Sequence, residues 1–256
     1  MIEGLKGKVV IVTGGGHGIG KAYSEGFTGA GARVVVADID TKAAEGVAGE
    51  LAKMSEAGSM ALHVDVSEEE STKELAAKTV EKFGRIDAIV NNAAIFATVP
   101  MSRGRIEEIS IEEWDRLMAV NLKGVFLMCR AVLPTMRQQK SGKIINISSG
   151  TALAGPPGRI HYVASKAGVI GFSRTLAREV GEDNIQVNIL CPGSTLSEVD
   201  PSEEVLKMRR SNIDKRALGR VQVPQDLVGA VMFMASPLSD FMTGQIMVVD
   251  GGQHMH

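Results

Sequence analysis

The sequence has few cysteines, few aromatic residues and almost no excess of either charge. Only two of its 256 residues are cysteines, and Cys129 and Cys191 lie far apart in apolar runs. This spacing indicates buried, reduced thiols rather than a disulfide or a metal pair. The 28 basic and 30 acidic residues nearly cancel, to a formal net charge of -2, so no strong field attracts nucleic acid or an anionic membrane. We therefore expect a cytoplasmic protein that binds small molecules and no nucleic acid.

The sequence also shows no signal peptide, membrane segment or metal motif. A strand-like run begins within the first ten residues, without the basic and apolar regions of a secretory leader. We find no apolar run that approaches the roughly eighteen residues of a membrane helix. The histidines lack metal-ligand spacing, and His254 and His256 lie in a tail that we expect to be exposed to solvent. The sequence therefore predicts neither a membrane partner nor a bound metal.

Short β-branched runs alternate with helix-length segments along the whole chain. Runs that are apolar on both faces belong to a sheet covered on both sides, and strict β-then-α order predicts parallel strands with right-handed crossovers. We expect one α/β domain over residues 1–256, a doubly wound Rossmann-type sheet of about seven parallel strands. Residues 193–224 are polar and weakly periodic, and we expect a substrate lid at about 194–214. The predicted strands are 8–13, 33–38, 59–66, 86–92, 142–148, 185–190 and 245–250, and the predicted helices lie near 18–30, 41–57, 67–83, 112–139, 161–181 and 225–236.

A glycine-rich turn, "VTGGGHGIGKA", follows the first predicted strand and opens the first helix. Its pattern is T-G-x-x-x-G-x-G, from Thr13 through Gly14 and Gly18 to Gly20. Glycines let the backbone turn sharply and approach a phosphate, while free N–H groups at the helix start favour an anion. A plain turn would use the same residues, but the position inside a βαβ unit favours dinucleotide binding.

Asp38 ends the second predicted strand, twenty residues after Gly18. A carboxylate there can accept hydrogen bonds from both ribose hydroxyls of an adenosine. A 2'-phosphate would meet like charge, with a repulsion on the order of several kcal/mol before screening, so the sequence predicts NAD rather than NADP. Lys42 could offset that repulsion. The alternative is that Asp38 caps the next helix, a task for which Asp40 is the better candidate.

Tyr162 and Lys166 lie four residues apart in a predicted helix, so they share one face. A positive charge about 4 Å from the phenol contributes about 4 kcal/mol, or roughly three pKa units, at an effective dielectric near 20. That would bring the pKa of the tyrosine close to 7 and let it exchange a proton with an alcohol. The alternative is a core tyrosine beside an exposed lysine.

Two further polar features could contribute to this site. Ser148 and Ser149 end the fifth predicted strand, where a hydroxyl could hold a carbonyl oxygen. Asn121 is either a buried hydrogen-bonding residue or a kink in its helix.

These motifs, with "NNAA" at 91–94, "PG" at 192–193 and the final "TGQIMVVDGG", closely resemble those of the short-chain dehydrogenase/reductase family. The resemblance covers nearly the whole chain. It implies a catalytic tetrad in which Ser149 orients the substrate, Tyr162 is the acid/base, Lys166 also holds the nicotinamide ribose and Asn121 fixes a water. Ala94 and Ser197 stand where the family commonly has glycine and threonine. The resemblance and the motifs together imply NAD contacts from Gly14, Gly18, Ile19, Gly20, Asp38, Asp65, Val66, Asn92, Ala93, Tyr162, Lys166, Pro192, Gly193, Thr195 and Ser197.

The sequence thus predicts an NAD-dependent oxidoreductase that interconverts a secondary alcohol and a ketone. Two alternatives are a 3-oxoacyl-(acyl-carrier-protein) reductase, against which Asp38 counts because most such enzymes prefer NADPH, and a non-catalytic NAD-binding sensor. The resemblance also implies a homotetramer. The segments 95–105 and 153–160, and the lid residues Leu196, Val199, Leu206 and Met208, are mostly apolar and predict a hydrophobic or alicyclic substrate. Arg103, Arg105 and Arg159 could bind an anion or be solvated loop charges. The candidate substrate residues are Phe96, Leu153, Ile160, Leu196 and Met208.

Overall fold

Seven parallel strands form one sheet in the computed structural model, which describes residues 3–96, 101–198 and 200–255. Their order across the sheet is β3-β2-β1-β4-β5-β6-β7, so the direction of winding reverses between β1 and β4. The predicted doubly wound α/β fold is confirmed. The strands are β1 (Val9–Thr13), β2 (Arg33–Asp38), β3 (Ser59–His63), β4 (Ala88–Asn91), β5 (Gly142–Ile147), β6 (Ile185–Pro192) and β7 (Ile246–Val249).

Helices cover both faces of this sheet. All six predicted helices are present, and most of their ends lie within three residues of the predicted positions. The helices are α1 (Gly18–Gly29), α2 (Thr41–Met54), α3 (Glu69–Phe83), α4 (Ile111–Met118), α5 (Gly124–Gln139), α6 (Thr151–Ala154), α7 (Ile160–Val180), α8 (Glu203–Arg210) and α9 (Gln225–Ala235).

Two apolar layers hold the sheet, one on each face. Val10 and Val12 of β1 face the layer that contains α1, α2 and α9, while Ile11 between them faces α3, α5 and α7. Every residue of β1 is buried for this reason, and the strand has no polar face. Apolar side chains on both faces therefore explain why these runs lack the alternation of a half-exposed strand.

A π-helical segment, Ala119–Lys123, joins α4 and α5 into one continuous helix over Ile111–Gln139. This 29-residue helix is long and apolar enough to cross a membrane by length and composition alone. The expectation that the sequence contains no such segment is therefore wrong. Val125, Met128 and Val132 pack into the core against the sheet, so the apolar composition is that of a core helix as well.

The segment after β6 is more ordered than its sequence predicts. Helix α8 lies within it, and the hydroxyl of Ser202 caps that helix by accepting from the amide of Val205 at 3.3 Å. A short bridge pairs Thr195 with Gln222 and so ties the two ends of the segment together. Periodicity missed α8 because charged residues fill most of its eight positions.

Candidate active site

The glycine-rich turn lies at the carboxyl end of β1, next to the point where the winding reverses. Gly14 and Gly18 have φ of +62° and +48°, in the left-handed region that only glycine enters without strain. A Cβ on Gly20 would lie 1.9 Å from the carbonyl oxygen of Gly14. The backbone therefore folds on itself as tightly as a phosphate cradle at a helix start requires.

A threonine and an asparagine brace this turn from the neighbouring strand. The hydroxyl of Thr13 accepts from the amides of Asn92 at 3.0 Å and Ala93 at 3.1 Å. The side-chain amide of Asn92 donates back to the carbonyl oxygens of Thr13 and Gly14, at 3.0 and 3.2 Å. Asn92 thus joins the ends of β1 and β4 to the glycine-rich turn, and its predicted contact with NAD stays a prediction. Sequence analysis noted Thr13 as part of the motif but did not predict its bracing role.

Asp38 lies beside the turn with only 7% of its surface exposed. One carboxylate oxygen accepts from the amide of Gly16 at 2.9 Å, and the other accepts from the amide of Asp40 at 3.0 Å. Asp40, not Asp38, caps α2 by accepting from the amide of Ala43 at 3.1 Å. The capping alternative for Asp38 is therefore wrong. Two backbone amides hold its negative charge at the tip of β2, and lone pairs remain for ribose hydroxyls.

The segment that follows β6 passes directly over the glycine-rich turn. A Cβ on Gly18 would lie 3.1 Å from the carbonyl oxygen of Ser197. Thr195 is buried, and its hydroxyl lies 3.2 Å from both the carbonyl oxygen of Gly193 and the side-chain oxygen of Gln222. Ser197 is thus close to the predicted cofactor site, whereas the hydroxyl of Thr195 holds its own segment together.

The other predicted cofactor residues differ in what surrounds them. Asp65 accepts from the amide and the hydroxyl of Ser67, at 2.9 and 2.6 Å. Val66 is buried against Gly124, at the start of α5. The carbonyl oxygen of Pro192 accepts from the amide of Gly150 at 2.9 Å, which joins the ends of β5 and β6. Two further predicted contacts lie just past the ends of strands. Ile19 is the second residue of α1, which follows β1, and Ala93 lies two residues after the end of β4.

Ser149, Tyr162 and Lys166 meet at the carboxyl end of β5. Tyr162 and Lys166 both lie on the buried face of α7, with 6% and 3% of their surface exposed. Ser149 is close enough to the phenol of Tyr162 to act to lower its pKa, and its hydroxyl accepts from the amide and the hydroxyl of Thr151, at 3.2 and 2.9 Å. Ser148 is occupied elsewhere, since its hydroxyl donates to the carbonyl oxygen of Lys166 at 2.8 Å. The alternative of a core tyrosine beside an exposed lysine is therefore wrong.

The pKa of Tyr162 is higher than the sequence-based estimate of about 7. Burial raises the pKa of Tyr162 to about 12, although Ser149, Arg159 and Arg209 act to lower it. Burial also lowers the pKa of Lys166 to about 8, and its ammonium donates to the carbonyl oxygen of Ile147 at 2.8 Å. The estimate of a phenol pKa near 7 counted the attraction of one charge and omitted the cost of removing both groups from water.

Asn121 lies inside the π-helical segment and is fully buried. Its side-chain oxygen accepts from the amide of Ile95 at 2.8 Å, and its side-chain nitrogen lies 3.3 Å from the hydroxyl of Ser165. It is therefore both the buried hydrogen-bonding residue and the helix irregularity that the sequence offered as alternatives. Through these contacts it joins α5, α7 and the segment after β4 beside Tyr162.

Apolar side chains line one side of the phenol. The ring of Phe96 lies 5.0 Å from the ring of Tyr162, and Ile95 and Leu117 pack in the same cluster. Among the predicted substrate residues, Phe96 is thus beside the tyrosine, Leu196 is half-buried, and Leu153 and Ile160 are exposed. Met208 lies in α8, but its side chain is outside the described part of the structure.

Two histidines have partners that the sequence did not reveal. His254 lies 2.7 Å from a carboxylate oxygen of Asp250 and packs against Gly150, so the expectation of solvent exposure is wrong for His254. His256 lies outside the described residues. His161 is fully buried and lies 3.3 Å from Glu113 of α4. A tight turn of glycines after β7 returns the chain to the site, and no periodic signal predicts such a return.

The parallel sheet, the glycine-rich turn and the serine-tyrosine-lysine cluster define a dinucleotide-binding oxidoreductase. A family model described as enoyl-(acyl carrier protein) reductase matches residues 14–254. The chain is 38% identical over 257 residues to the 3-oxoacyl-(acyl-carrier-protein) reductase of Thermotoga maritima, covering 97% of this chain and 98% of that protein. It is 36% identical over 253 residues to the probable galactose dehydrogenase of Rhizobium meliloti, and the match covers 97% of this chain and 95% of that protein.

A solved structure shows the same fold. The crystal structure of 3-ketoacyl-(acyl-carrier-protein) reductase from Brucella melitensis complexed with NADH has a TM-score of 0.88 and 32% identity, covering 98% of this chain and 100% of that chain. The protein belongs to the short-chain dehydrogenase/reductase family. The predicted nicotinamide dinucleotide cofactor is confirmed at the level of the family.

Proposed function

We propose that this protein is an NAD-dependent oxidoreductase that interconverts a secondary alcohol and a ketone. The observation that supports the reaction is the meeting of Ser149, Tyr162 and Lys166 at the sheet edge that carries the glycine-rich turn. The buried charge of Asp38 beside that turn supports NAD over NADP. The 3-ketoacyl reductase of Brucella was itself crystallised with NADH.

The residues of the cluster have separate tasks in this proposal. Bound nicotinamide supplies or accepts the hydride. Tyr162, with its raised pKa, is protonated at neutral pH and donates its proton to the oxygen of a ketone. Ser149 holds that oxygen, and Lys166 is fixed by Ile147 with donors left for a ribose. In the reverse direction Tyr162 must lose its proton before it can accept one from the alcohol.

Reduction of a 3-oxoacyl thioester is a second candidate function. Several relatives bear that name, among them the reductase of Chlamydia muridarum, which is 38% identical over 250 residues. The identity of this chain to the probable galactose dehydrogenase of Rhizobium meliloti, 36%, is almost as high. Overall identity therefore does not choose the substrate, and the choice depends on the residues around Tyr162.

The assembly and the location of the protein also belong to the proposal. Phe126 of α5 is 44% exposed and lies 6.4 Å, ring to ring, from Phe172 of α7. This apolar outer face supports a homotetramer assembled through these two helices. The near-neutral charge and the two free, buried cysteines support a cytoplasmic location. The segment over the glycine-rich turn would act as a lid.

The test of the main proposal is a screen of secondary alcohols with NAD, followed by absorbance of the reduced nicotinamide. We expect turnover of at least one acyclic, cyclic, aryl or carboxylated alcohol, and a loss of at least 1000-fold in kcat for Tyr162→Phe, in line with the roughly 100- to 10,000-fold of general acid-base catalysis. The affinity for NAD should remain. NAD binding without turnover across the panel would favour the sensor alternative, and a near-normal rate in Tyr162→Phe would overturn the role of the tyrosine.

A further inference from the structure

After β7 the chain makes a tight turn, residues 250–255, that folds back on the candidate active site; we call it the terminal turn. Its two glycines have φ of +74° and +79°, so the backbone reverses directly after the strand. The carboxylate of Asp250, with only 3% of its surface exposed, holds the turn closed. It accepts from three backbone amides of the turn, each at 3.0 Å.

The imidazole of His254 is a fourth donor to this carboxylate. Its Nδ1 atom lies 2.7 Å from one oxygen of Asp250. A carboxylate only accepts, so Nδ1 carries the proton, and this bond sets the orientation of the ring. A buried charge is costly unless its lone pairs find donors, and the four donors meet that need. The ring is therefore held in one position rather than free to move with the end of the chain.

That position places the ring against the residue that follows Ser149. A Cβ on Gly150 would lie 3.1 Å from Nδ1 and 3.3 Å from Cε1 of His254. The φ of Gly150 is -56°, an ordinary helical value that does not call for glycine. Glycine at this position therefore serves the close approach of the imidazole, which packs on the backbone of the turn that carries the serine hydroxyl.

Asp250 makes a matching contact at the end of β6. A Cβ on Gly193 would lie 2.7 Å from the Cβ of Asp250. The residue before it, Pro192, accepts at its carbonyl oxygen from the amide of Gly150 at 2.9 Å. The aspartate and the histidine together thus pack on the two glycines that follow β6 and β5, and these two chain segments are themselves hydrogen-bonded to each other.

The terminal turn is also bonded to the far end of the segment after β6. The carbonyl oxygen of Gly251 accepts from the amide of Leu218 at 2.9 Å. The carbonyl oxygen of Val249, at the end of β7, accepts from the side-chain nitrogen of Gln222 at 2.7 Å. The turn therefore touches both the backbone beside the serine and the base of the segment that passes over the glycine-rich turn.

We propose that His254 and Asp250 are positioning residues that fix Ser149 through Gly150 and couple it to the segment after β6. Neither residue touches the substrate in this proposal. Its catalytic half rests on the proposed function, in which Ser149 holds the carbonyl oxygen. A misplacement of about 1 Å in such a group can cost roughly 100-fold in rate. Its structural half, that the ring holds the serine turn in place, does not depend on activity.

Hydrogen exchange measured by mass spectrometry tests the structural half. In His254→Gln we expect peptides that cover 148–155 and 216–220 to exchange at least about tenfold faster than in the parent protein, because the amides of Gly150 and Leu218 lose the support of the turn. Peptides from α1 should be unchanged. Unchanged exchange over 148–155 in both His254→Gln and His254→Ala would overturn the proposal.

Two further variants separate the ring from the turn as a whole. His254→Asn should restore most of the protection, since its side-chain nitrogen lies nearly where Nδ1 does, whereas that of glutamine lies one bond further out. Met255→Ala is the matched control, because Met255 is in the same turn but is 80% exposed. Exchange as fast in Met255→Ala as in His254→Ala would show that any change in the turn loosens it, and would overturn the role of the ring.

Kinetics and NADH binding test the catalytic half, with the alcohol that turns over fastest in the NAD screen. We expect His254→Gln to lower kcat by roughly 10- to 100-fold, and His254→Asn to recover most of it. The Kd for NADH, from its fluorescence, should stay nearly the same, because the glycine-rich turn is untouched. An unchanged kcat in His254→Gln, or a parallel loss of kcat and NADH affinity, would overturn the catalytic half. Absence of turnover in the parent protein would instead overturn the proposed function, while the exchange experiment would still decide the structural half.

Discussion

The two ends of the candidate site carry opposite charges and are built in different ways. At the cofactor end, one carboxylate, Asp38, is held by the amides of Gly16 and Asp40. At the substrate end, Arg159 and Arg209 bring positive charge to the phenol of Tyr162. Asp38 and its two amide partners lie within one βαβ unit, whereas Arg159 and Arg209 come from segments about fifty residues apart.

This difference separates tasks that one surface could not combine. The negative charge of Asp38 would repel an extra phosphate on the adenosine, and the positive charge of the two arginines lowers the pKa of the phenol of Tyr162. Asp38 is held by backbone amides, which do not depend on the identity of any side chain. This arrangement therefore places no constraint on the substrate. Arg209 lies in a segment held by Ser194, Glu198 and the bridge at Thr195. The same segment passes over the glycine-rich turn at Ser197, so changes to it can also reach the cofactor end.

Of the changes that compare the two ends, removal of the negative charge at the cofactor end should give the largest effect. We expect Asp38→Asn to lower the ratio of kcat/KM with NAD to that with NADP by about 100-fold. A repulsion of about 4 kcal/mol at 4 Å and a dielectric near 20 would allow even more before screening. Steady-state kinetics with both cofactors measure the ratio.

Asp40→Asn is the matched control for that experiment. It removes the neighbouring negative charge, and asparagine still caps α2. Its cofactor preference should change by less than threefold, because Asp40 is exposed and screened by solvent. A ratio that is unchanged in Asp38→Asn would assign the discrimination to another residue.

The cofactor end could be predicted from the sequence because its signals are local. The glycine spacing, the acid after β2 and the paired Tyr162 and Lys166 each lie within one strand-turn-helix unit or one helix. The sheet could be predicted for the same reason, because each strand is a short run of apolar residues that are adjacent in the sequence. Sequence spacing within such a unit is also spatial spacing, and the structure places these residues accordingly.

The substrate end could be predicted only in part. The sequence named Arg159 as a residue that could bind an anion but did not pair it with Arg209, whose helix has a mostly charged sequence. The packing of His254 against Gly150 depends on two glycines after β7 with φ near +75°, a return that no periodicity encodes. The protonation of Tyr162 depends on burial, which pairwise spacing does not measure.

The pH dependence of the two reaction directions should differ at the phenol. Because burial raises the pKa of Tyr162 to about 12, the tyrosine is a proton donor at neutral pH and must be deprotonated to accept a proton. We therefore expect kcat/KM for alcohol oxidation to rise up to tenfold per pH unit between pH 7 and 9. We expect kcat/KM for ketone reduction to stay level only below the pKa of Lys166, about 8, and to fall above it as Lys166 loses its charge.

Profiles in both directions, with folding checked by circular dichroism at each pH, measure this difference. A level oxidation profile from pH 7 upward would mean that the phenol is already ionised in the free protein. The attraction of Lys166 would then exceed the cost of burial, and the sequence-based estimate would stand against the structure.

The smallest expected effect compares two buried threonines, one that braces the glycine-rich turn and one in the segment that passes over it. Thr13 and Thr195 are both buried, with 1% and 4% of their surface exposed. Thr13→Val leaves the buried amides of Asn92 and Ala93 without an acceptor, and unpaired buried donors cost about 1–3 kcal/mol. We expect urea unfolding to show that loss. The Thr195 hydroxyl has one proton and can donate to the oxygen of Gly193 or of Gln222, but not to both at once. Buried carbonyl oxygens tolerate a missing partner better than buried N–H groups do, so the loss in Thr195→Val should be about 1 kcal/mol or less. Equal losses would contradict the view that an unpaired buried donor costs more than an unpaired acceptor.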